Sequence, residues 1–328
     1  MRAALDSKYE NVILSAEDLF FLDEPEIRPF AGIVYDLFDN IVIVAYLRRQ
    51  DELAASHKAQ GAKTIQSAWV FGFEADPLPA LNSQVIGYLD FDSKLAAWAS
   101  AFPNAQLRVH EYRRDRLVNG DIVADFAEIL NIDLCHTQDD VNAALGANQI
   151  KLIYNLRQRG VGQRFVKRIH RDGVLTADHH KFLPTHNQAR EFYAAFKNSN
   201  QALEERLQGF EFHDDFSRYP DVLVNTGFGE YERENLYRIL SSISKTNPED
   251  LARRLIELEG RVRKRSLFAM LKPEILGADL ADELISIASD LDPRAHDVER
   301  AKRKAKARHS GFLSRIKTKV QHIKARWS

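Results

Sequence analysis

The chain has 328 residues, of which 45% are hydrophobic and 28% charged, with a net charge of −1. These values predict a soluble globular protein with room for one large domain and an appendage. No apolar run approaches the roughly 20 residues needed to cross a bilayer, and residues 1–20 include acids and lack a long apolar core, so they do not form a secretory signal. The single cysteine, Cys135, excludes internal disulfides and cysteine-built metal sites and fits a reducing cytoplasm.

The charge is distributed unevenly along the chain. Residues 294–328 hold twelve Lys or Arg and two Asp or Glu, a net charge of +10, which leaves −11 for the other 293 residues. An acidic body with a basic tail indicates an interaction tail, and it makes a uniformly basic nucleic-acid binder improbable.

The first apolar segment, Asn11–Leu14, is rich in strand-forming residues and predicts a buried strand that ends at Leu14 or Ser15. In an open α/β sheet, ligands bind beyond the carboxyl ends of the strands, so Glu17 is a candidate general base. The alternative is a helix cap, with Ser15 as the cap and Asp18 in the first turn. Both interpretations stay open from the residues alone.

The stretch Ile41–Gly61 predicts a strand, a basic turn and a helix in succession. Its β-branched start is typical of a strand buried on both faces, Asp51 is expected to cap the helix, and Gly61 to end it. Arg48 leaves the strand next to a helix N-terminus, which favours an anion, and Ser56 follows eight residues later. Arg48 and Ser56 are therefore a candidate phosphate clamp, with a solvated turn as the alternative.

The following segments alternate between helix and strand. Residues 32–37 predict a helix before the central strand, whereas residues 62–79 show no clear periodicity. A helix starting near Asp92, a strand over Gln106–Tyr112 and a helix starting at Asp121 come next. This order predicts an α/β domain with a parallel core.

The second half of the chain carries two basic regions and further helices. Lys151 is followed by six further Lys or Arg up to Arg171. This basic stretch fits either a solvated helix face or a contact with donor phosphates or an acidic glycan. The sequence becomes helical from about residue 226, with a helix start at Asn247-Pro248. In the tail, apolar residues recur at helical spacing from Phe312 to Trp327 between cations, which predicts an amphipathic helix suited to an anionic membrane surface.

The segment YLRRQDELAAS, which contains Arg48 and Ser56, resembles the 3′-phosphate motif of sulfotransferases that use 3′-phosphoadenosine-5′-phosphosulfate (PAPS), in the bacterial polysaccharide branch. The segment ILSAEDL, which contains Glu17, resembles the segment of this family in which several branches carry a catalytic Glu. A more diffuse resemblance extends over residues 11–220.

The resemblance implies a P-loop-type parallel sheet flanked by helices, with a C-terminal helical extension. It implies transfer of a sulfuryl group from PAPS to a hydroxyl of a glycan or related acceptor, without a metal. Arg48 and Ser56 would bind the 3′-phosphate of the donor, and Glu17 would deprotonate the acceptor. We accordingly expect a sulfotransferase-like domain at 1–225, a helical appendage at 226–293 and the basic tail at 294–328. The protein is expected to be cytoplasmic, with the tail as a means of peripheral membrane association.

One departure from the family pattern matters. The family's Gly- and Thr/Ser-rich loop, which holds the 5′-phosphosulfate, should precede Glu17 by several tens of residues, but only sixteen residues precede it here. Either the chain is an N-terminal truncation, or the donor-sulfate site has been lost. The alternatives to an active enzyme are therefore a non-catalytic remnant or regulatory nucleotide-binding protein of the same fold and, more distantly, another nucleotide-dependent transferase.

Overall fold

A computed structural model describes residues 11–132, 145–158, 161–222 and 230–244, together with a few positions between 249 and 257. Over this part of the chain the fold is mixed α/β and mostly helical, with a small parallel sheet. The predicted α/β class is thus confirmed at this level. Cys135 and two predicted features, the helix start at Asn247-Pro248 and the amphipathic helix of the tail, lie outside the described residues.

The helices and strands follow in chain order, with one short 3-10 helix at Glu17–Phe21 and another at Val118–Gly120. The elements are α1 (Glu24–Tyr35), β1 (Val42–Leu47), α2 (Gln50–Lys63), α3 (Ile65–Phe71), α4 (Ser83–Leu89), α5 (Phe91–Ala101), β2 (Gln106–Glu111), α6 (Ile122–Leu130), α7 (Ala147–Gln158), α8 (Gln163–Arg171), α9 (His186–Ala194), α10 (Lys197–Arg206) and α11 (Glu230–Ser244).

The sheet pairs β1 with β2 in parallel, from Val42 opposite Gln106 to Leu47 opposite Glu111. Both strands were predicted, and the parallel pairing confirms the predicted core arrangement. The expectation that the first of them is buried on both faces is wrong, because Val42 is 46% exposed and only Leu47 is fully buried. In the described part of the chain the sheet has only these two strands, so each has a neighbour on one side alone.

The predicted strand at Asn11–Leu14 is not formed. The segment has no regular structure, and the side chains of Ile13 and Leu14 are 54% and 41% exposed. A strand needs a neighbouring backbone to bond with, and a β-prone sequence does not supply one. The sheet edge that was expected to place Glu17 is therefore absent at this point of the chain.

Some of the predicted helix caps and stops agree with the observed helix ends, and others do not. Asp121 caps α6 as predicted, since its side chain accepts hydrogen bonds from the backbone N–H groups of Val123 and Ala124. Near Asp92 the cap is Asp90. The prediction that Gly61 ends α2 is wrong: the helix continues to Lys63, and a Cβ at Gly61 would collide with the hydroxyl oxygen of Tyr154.

Two further helices differ from their predicted extents. The helix predicted at 32–37 begins earlier and is α1, which starts with Pro25 in its first turn. Residues 62–79, predicted to be irregular, contain α3 before a non-helical segment. A helix of seven residues is too short to show a clear hydrophobic period in the sequence.

The helices around α7 share one core. Leu236, Ile239 and Leu240 of α11 pack in the same apolar cluster as residues of α7 and α8. The first helix of the predicted appendage thus shares a core with helices assigned to the preceding domain. No helix in the described residues is long and apolar enough to cross a membrane.

Candidate functional site

The candidate site lies where β1 and β2 end side by side. Leu47 and Glu111 are the last paired residues of the two strands, and the chain continues into Arg48 on one side and Tyr112 on the other. The Arg48 guanidinium lies 5.8 Å from the centre of the Tyr112 ring, which is a cation–π distance. The carboxyl ends of parallel strands therefore carry the basic turn that the sequence singled out.

The second arginine of the turn is structural. Arg49 is 1% exposed and forms two parallel hydrogen bonds to Asp51, Nε to Oδ1 at 2.7 Å and Nη2 to Oδ2 at 3.0 Å. Its Nη1 donates to the carbonyl oxygens of His213 and Asp215 at 3.0 and 2.9 Å. The guanidinium also stacks 3.7 Å from the centre of the Phe216 ring. We call Arg49, Asp51 and Tyr219 the Arg49 network, because the Tyr219 hydroxyl donates to Asp51 Oδ2 at 2.5 Å.

Electrostatic interactions keep the guanidinium of Arg49 in this network charged. Burial by itself lowers the pKa of Arg49, but the hydrogen bonds and charge of Asp51 outweigh it, and the pKa is raised. The same carboxylate and burial raise the pKa of the Tyr219 hydroxyl. Asp51 was predicted to cap α2. It instead lies in the first turn, which starts at Gln50, and its carboxylate is taken up by Arg49.

A second group of charges surrounds Arg48, and we call it the strand-end cluster: Arg48, Glu52, Glu111, His213 and Arg218. Glu52 bridges two arginines, with its Oε2 3.0 Å from Arg48 Nε and its Oε1 2.8 Å from Arg218 Nη1. Burial raises the pKa of Glu52, but Arg218 and then Arg48 outweigh that effect and leave the pKa lowered. Glu52 is therefore a carboxylate at neutral pH, held between two cations.

His213 joins the two acids of this cluster. Its Nε2 lies 3.6 Å from Glu52 Oε1, and its Nδ1 approaches Glu111 Oε1 at 2.9 Å without the alignment of a hydrogen bond. The aligned bond to that oxygen comes from the backbone N–H of His213, at 3.0 Å. Glu111 therefore anchors the backbone of the 213–218 segment at the end of β2.

The second oxygen of Glu111 is buried and has no hydrogen-bond partner, although Arg113 and Arg116 each place a nitrogen 4.0 Å from it. A buried carboxylate oxygen normally has such a partner. Arg113 is instead bonded through Nε and Nη2 to Asp115, at 2.6 and 2.8 Å, so the arginines at this edge are matched by nearby acids.

Ser56 lies on α2 and is exposed. It follows Glu52 by four residues, one helical turn, but Glu52 is buried. Arg48 precedes the helix, so only the sequence spacing relates Ser56 to Arg48.

His57, the next residue, is half-buried against the rings of Phe71 and Tyr88. Its ring is stacked on Phe71 at 4.6 Å, and its Nε2 lies 3.1 Å from the Tyr88 hydroxyl. Burial first, and then the charge of Arg48, lower the pKa of His57 to about 4. His57 is therefore neutral at physiological pH and adds no charge beside Ser56.

Glu17, the candidate base, begins the 3-10 helix Glu17–Phe21. The helix cap predicted at Ser15 is wrong: the capping position is Ala16, and no side chain caps this helix. Phe20 and Phe21 pack on Tyr88, with ring centres 5.5 and 4.7 Å apart. Tyr88 also contacts His57 of α2. The segment that begins at Glu17 is therefore connected to α2 through Tyr88.

Sequence reasoning missed four members of the strand-end cluster: Glu52, Glu111, His213 and Arg218. Glu111 could have been found, because it ends a predicted strand next to the one that precedes Arg48. His213 and Arg218 belong to the segment FHDDFSRYP, which has no periodicity and is held at the site by long-range bonds to Arg49, Glu111 and Glu52. In the described part of the chain, no three His, Cys, Asp or Glu residues are placed to hold a metal ion.

Comparison with known proteins gives one weak relative. An uncharacterized protein from Archaeoglobus fulgidus is 32% identical over 123 residues, which covers 38% of this chain and 31% of the relative. The chain thus matches only about a third of the length of that relative. No family model matches the chain. No solved structure matches it either.

Proposed function

We propose that the chain is a sulfotransferase-like enzyme that moves a sulfuryl group from PAPS to a hydroxyl of a glycan or related acceptor. The observation that supports this best is the partly exposed Arg48 at the carboxyl end of β1, followed by the exposed Ser56 on α2. The sequence resemblance assigns the 3′-phosphate of the donor to these two residues.

The geometry suits a phosphate. The Arg48 side chain is 25% exposed, and the hydrogen bond it makes to Glu52 uses Nε. A guanidinium bound in this way still has its two terminal nitrogens, which match two phosphate oxygens. Ser56 supplies a hydroxyl donor one turn beyond Glu52. His57 is neutral at physiological pH and adds no charge beside Ser56.

In the proposed reaction, the acceptor hydroxyl oxygen attacks the sulfur atom. The new S–O bond forms as the bond between sulfur and the 5′-phosphate oxygen breaks, and adenosine 3′,5′-bisphosphate leaves. Glu17 takes the hydroxyl proton, as the resemblance implies. The aromatic contacts from Phe20 and Phe21 to Tyr88 support this role, because they tie the segment that begins at Glu17 to the ring that contacts His57.

The finer fold assignment, a P-loop-type sulfotransferase sheet, belongs to the same proposal. Two neighbouring parallel strands joined by a helical crossover are the repeating unit of such sheets. The basic turn also stands at the strand ends, where sheets of this type bind their ligands.

A non-catalytic nucleotide-binding protein is the second candidate, and its phosphate would meet the same contacts at Arg48 as the donor of the enzyme. The Glu52 carboxylate already lies between Arg48 and Arg218, so a phosphate would have to share or displace these contacts. A chain of this kind would bind adenosine 3′,5′-bisphosphate but would transfer no sulfate from PAPS.

Calorimetric titration with adenosine 3′,5′-bisphosphate tests the donor site. We expect Arg48→Ala to weaken binding by about 2 kcal/mol, roughly thirtyfold, the scale of a hydrogen bond to a charged group. The matched control is Arg28→Ala, which removes an equally charged, exposed side chain on α1. Equal affinity of wild type and Arg48→Ala would remove Arg48 from the site.

The chemical step is tested in a form of the protein that transfers sulfate. Glu17→Gln should reduce turnover by roughly 10²–10⁴-fold and leave the affinity for adenosine 3′,5′-bisphosphate nearly unchanged, because only a proton acceptor is lost. Full turnover in Glu17→Gln would exclude Glu17 as the base.

A further inference from the structure

The basic stretch at residues 151–171 divides into two parts with opposite surroundings. In α7, Lys151 and Arg157 are 2% and 5% exposed. Arg157 donates from Nη2 to the carbonyl oxygen of Ala62, in the last turn of α2, at 3.1 Å. These two cations are packed inside the protein, and the stretch offers its remaining charge through α8.

Helix α8 carries its cations as a stripe. Arg164, Lys167, Arg168 and Arg171 follow one another at intervals of three, one and three residues, which puts them on one face of the helix. All of them are exposed except Arg168, which is half-buried. The opposite face is apolar and buried, with Phe165, Val166 and Ile169 each no more than 2% exposed.

The same four side chains line a shallow depression on the surface. The stripe runs for about 10 Å along the helix, given the rise of a helix per residue. Arg171 pairs with Asp172 at 2.8 Å, Arg168 lies over the ring of Phe165, and Arg164 also has an interaction partner, so an anion would compete with these contacts. A row of cations on a surface suits an extended anion with several charges better than one small ion, which needs donors that converge.

We propose that this α8 stripe binds an acidic polysaccharide, a chain of sugars that carry carboxylate or sulfate groups. The proposal rests on the proposed function, since it names the acceptor as an acidic glycan. It adds a docking site separate from the strand-end cluster, which would hold the polymer while one of its hydroxyls reaches the donor.

Two features of α8 favour a polysaccharide over other polyanions. Single-stranded nucleic acids bind through aromatic side chains that stack on the bases, and the aromatic residue of α8, Phe165, is buried on the far side. Helices that bind anionic membranes place apolar residues against the bilayer, and here the apolar face packs on the core.

The test measures binding of a polyuronate to the full-length chain by a titration at low salt. The variant Arg164→Gln/Lys167→Gln/Arg171→Gln should lose at least about tenfold in affinity, since three ion pairs are removed from one face. The control Arg28→Gln/Lys181→Gln/Lys197→Gln removes the same charge from exposed positions elsewhere and should stay within about twofold of wild type. Neutral dextran should not bind.

A second measurement is local to the stripe, so it does not depend on the basic tail. Acetylation of Lys167 should slow when the polyuronate is present, whereas acetylation of Lys181 and Lys197 should not. Equal losses in both triple variants, or no protection of Lys167, would overturn the proposal, as would tighter binding of a single-stranded oligonucleotide or an anionic vesicle through the stripe. Failure of the chain to bind adenosine 3′,5′-bisphosphate, with stripe binding intact, would overturn the proposed function alone.

Discussion

Arg48 and Arg49 are neighbours in sequence and have opposite roles. Arg49 is buried in a network in which a carboxylate, two carbonyl oxygens and an aromatic ring surround its guanidinium. Arg48 is partly exposed, bonds to one carboxylate and lies over the ring of Tyr112. The comparison teaches that the number of partners and the exposure of an arginine, and not its position after a strand, separate a structural cation from one that can bind a ligand.

The basic stretch at 151–171 repeats this contrast on a larger scale. The buried Arg157 bonds to a helix end, and the α8 stripe faces solvent. In both places the buried arginine is the one that reaches backbone carbonyl oxygens of a distant segment. A buried arginine of this kind holds two parts of the chain together, whereas an exposed one is accessible to solvent.

The strongest test of the Arg48 and Arg49 comparison is the stability of alanine variants. Arg49→Ala should destabilise the protein by about 3–5 kcal/mol, because it leaves the buried Asp51 carboxylate without its cation. Arg48→Ala should cost no more than about 1 kcal/mol, since a partly exposed ion pair contributes little. Urea unfolding measures both changes.

Replacement of both members of the buried pair sharpens this test. Arg49→Met/Asp51→Leu should be clearly more stable than Arg49→Ala, because no unpaired charge remains inside. If Arg48→Ala were as damaging as Arg49→Ala, the distinction between the two regions would be lost.

A smaller effect is expected from pH. The folded-state pKa of His57, about 4, lies below its ordinary value of 6.5, so the unfolded chain binds the proton more readily. Stability should therefore be complete above pH 6.5 and fall as the pH drops toward 4, by up to about 3 kcal/mol from this group. Unfolding of wild type and His57→Gln across this range measures the contribution, and His57→Gln should show the shallower slope.

Substitution of the exposed His179 serves as the control, because its removal should leave the slope unchanged. A slope in His57→Gln as steep as in wild type would contradict the assignment. The charge of Arg48 is the second cause of the low pKa, so Arg48→Ala should raise the pKa of His57 slightly, as nuclear magnetic resonance titration can follow.

The elements that sequence predicts well here are those decided by nearby residues. The strand at Gln106, the cap at Asp121 and the parallel order of the two strands all follow from local composition and spacing.

The failures share a cause that lies far along the chain. Gly61 does not end its helix because Tyr154 packs against it, and Asn11–Leu14 is not a strand because no neighbour pairs with it. The buried, structural role of Arg49 is likewise set by the carbonyl oxygens of His213 and Asp215, which accept its hydrogen bonds. No window around residue 49 contains that information.

The bond between Arg49 and the 213–215 backbone joins residues more than 160 positions apart, and this has a consequence for how the protein is made. On the ribosome, β1 and the basic turn emerge long before His213, so Arg49 and Asp51 must wait for their partners through most of synthesis. Contacts of such long range form late and slowly, after the cost of closing a large loop has been met. The edge of the sheet is therefore among the last parts of the protein to mature, and a nascent chain that stops short of Tyr219 would carry the Arg48–Ser56 motif without the surroundings that shape it.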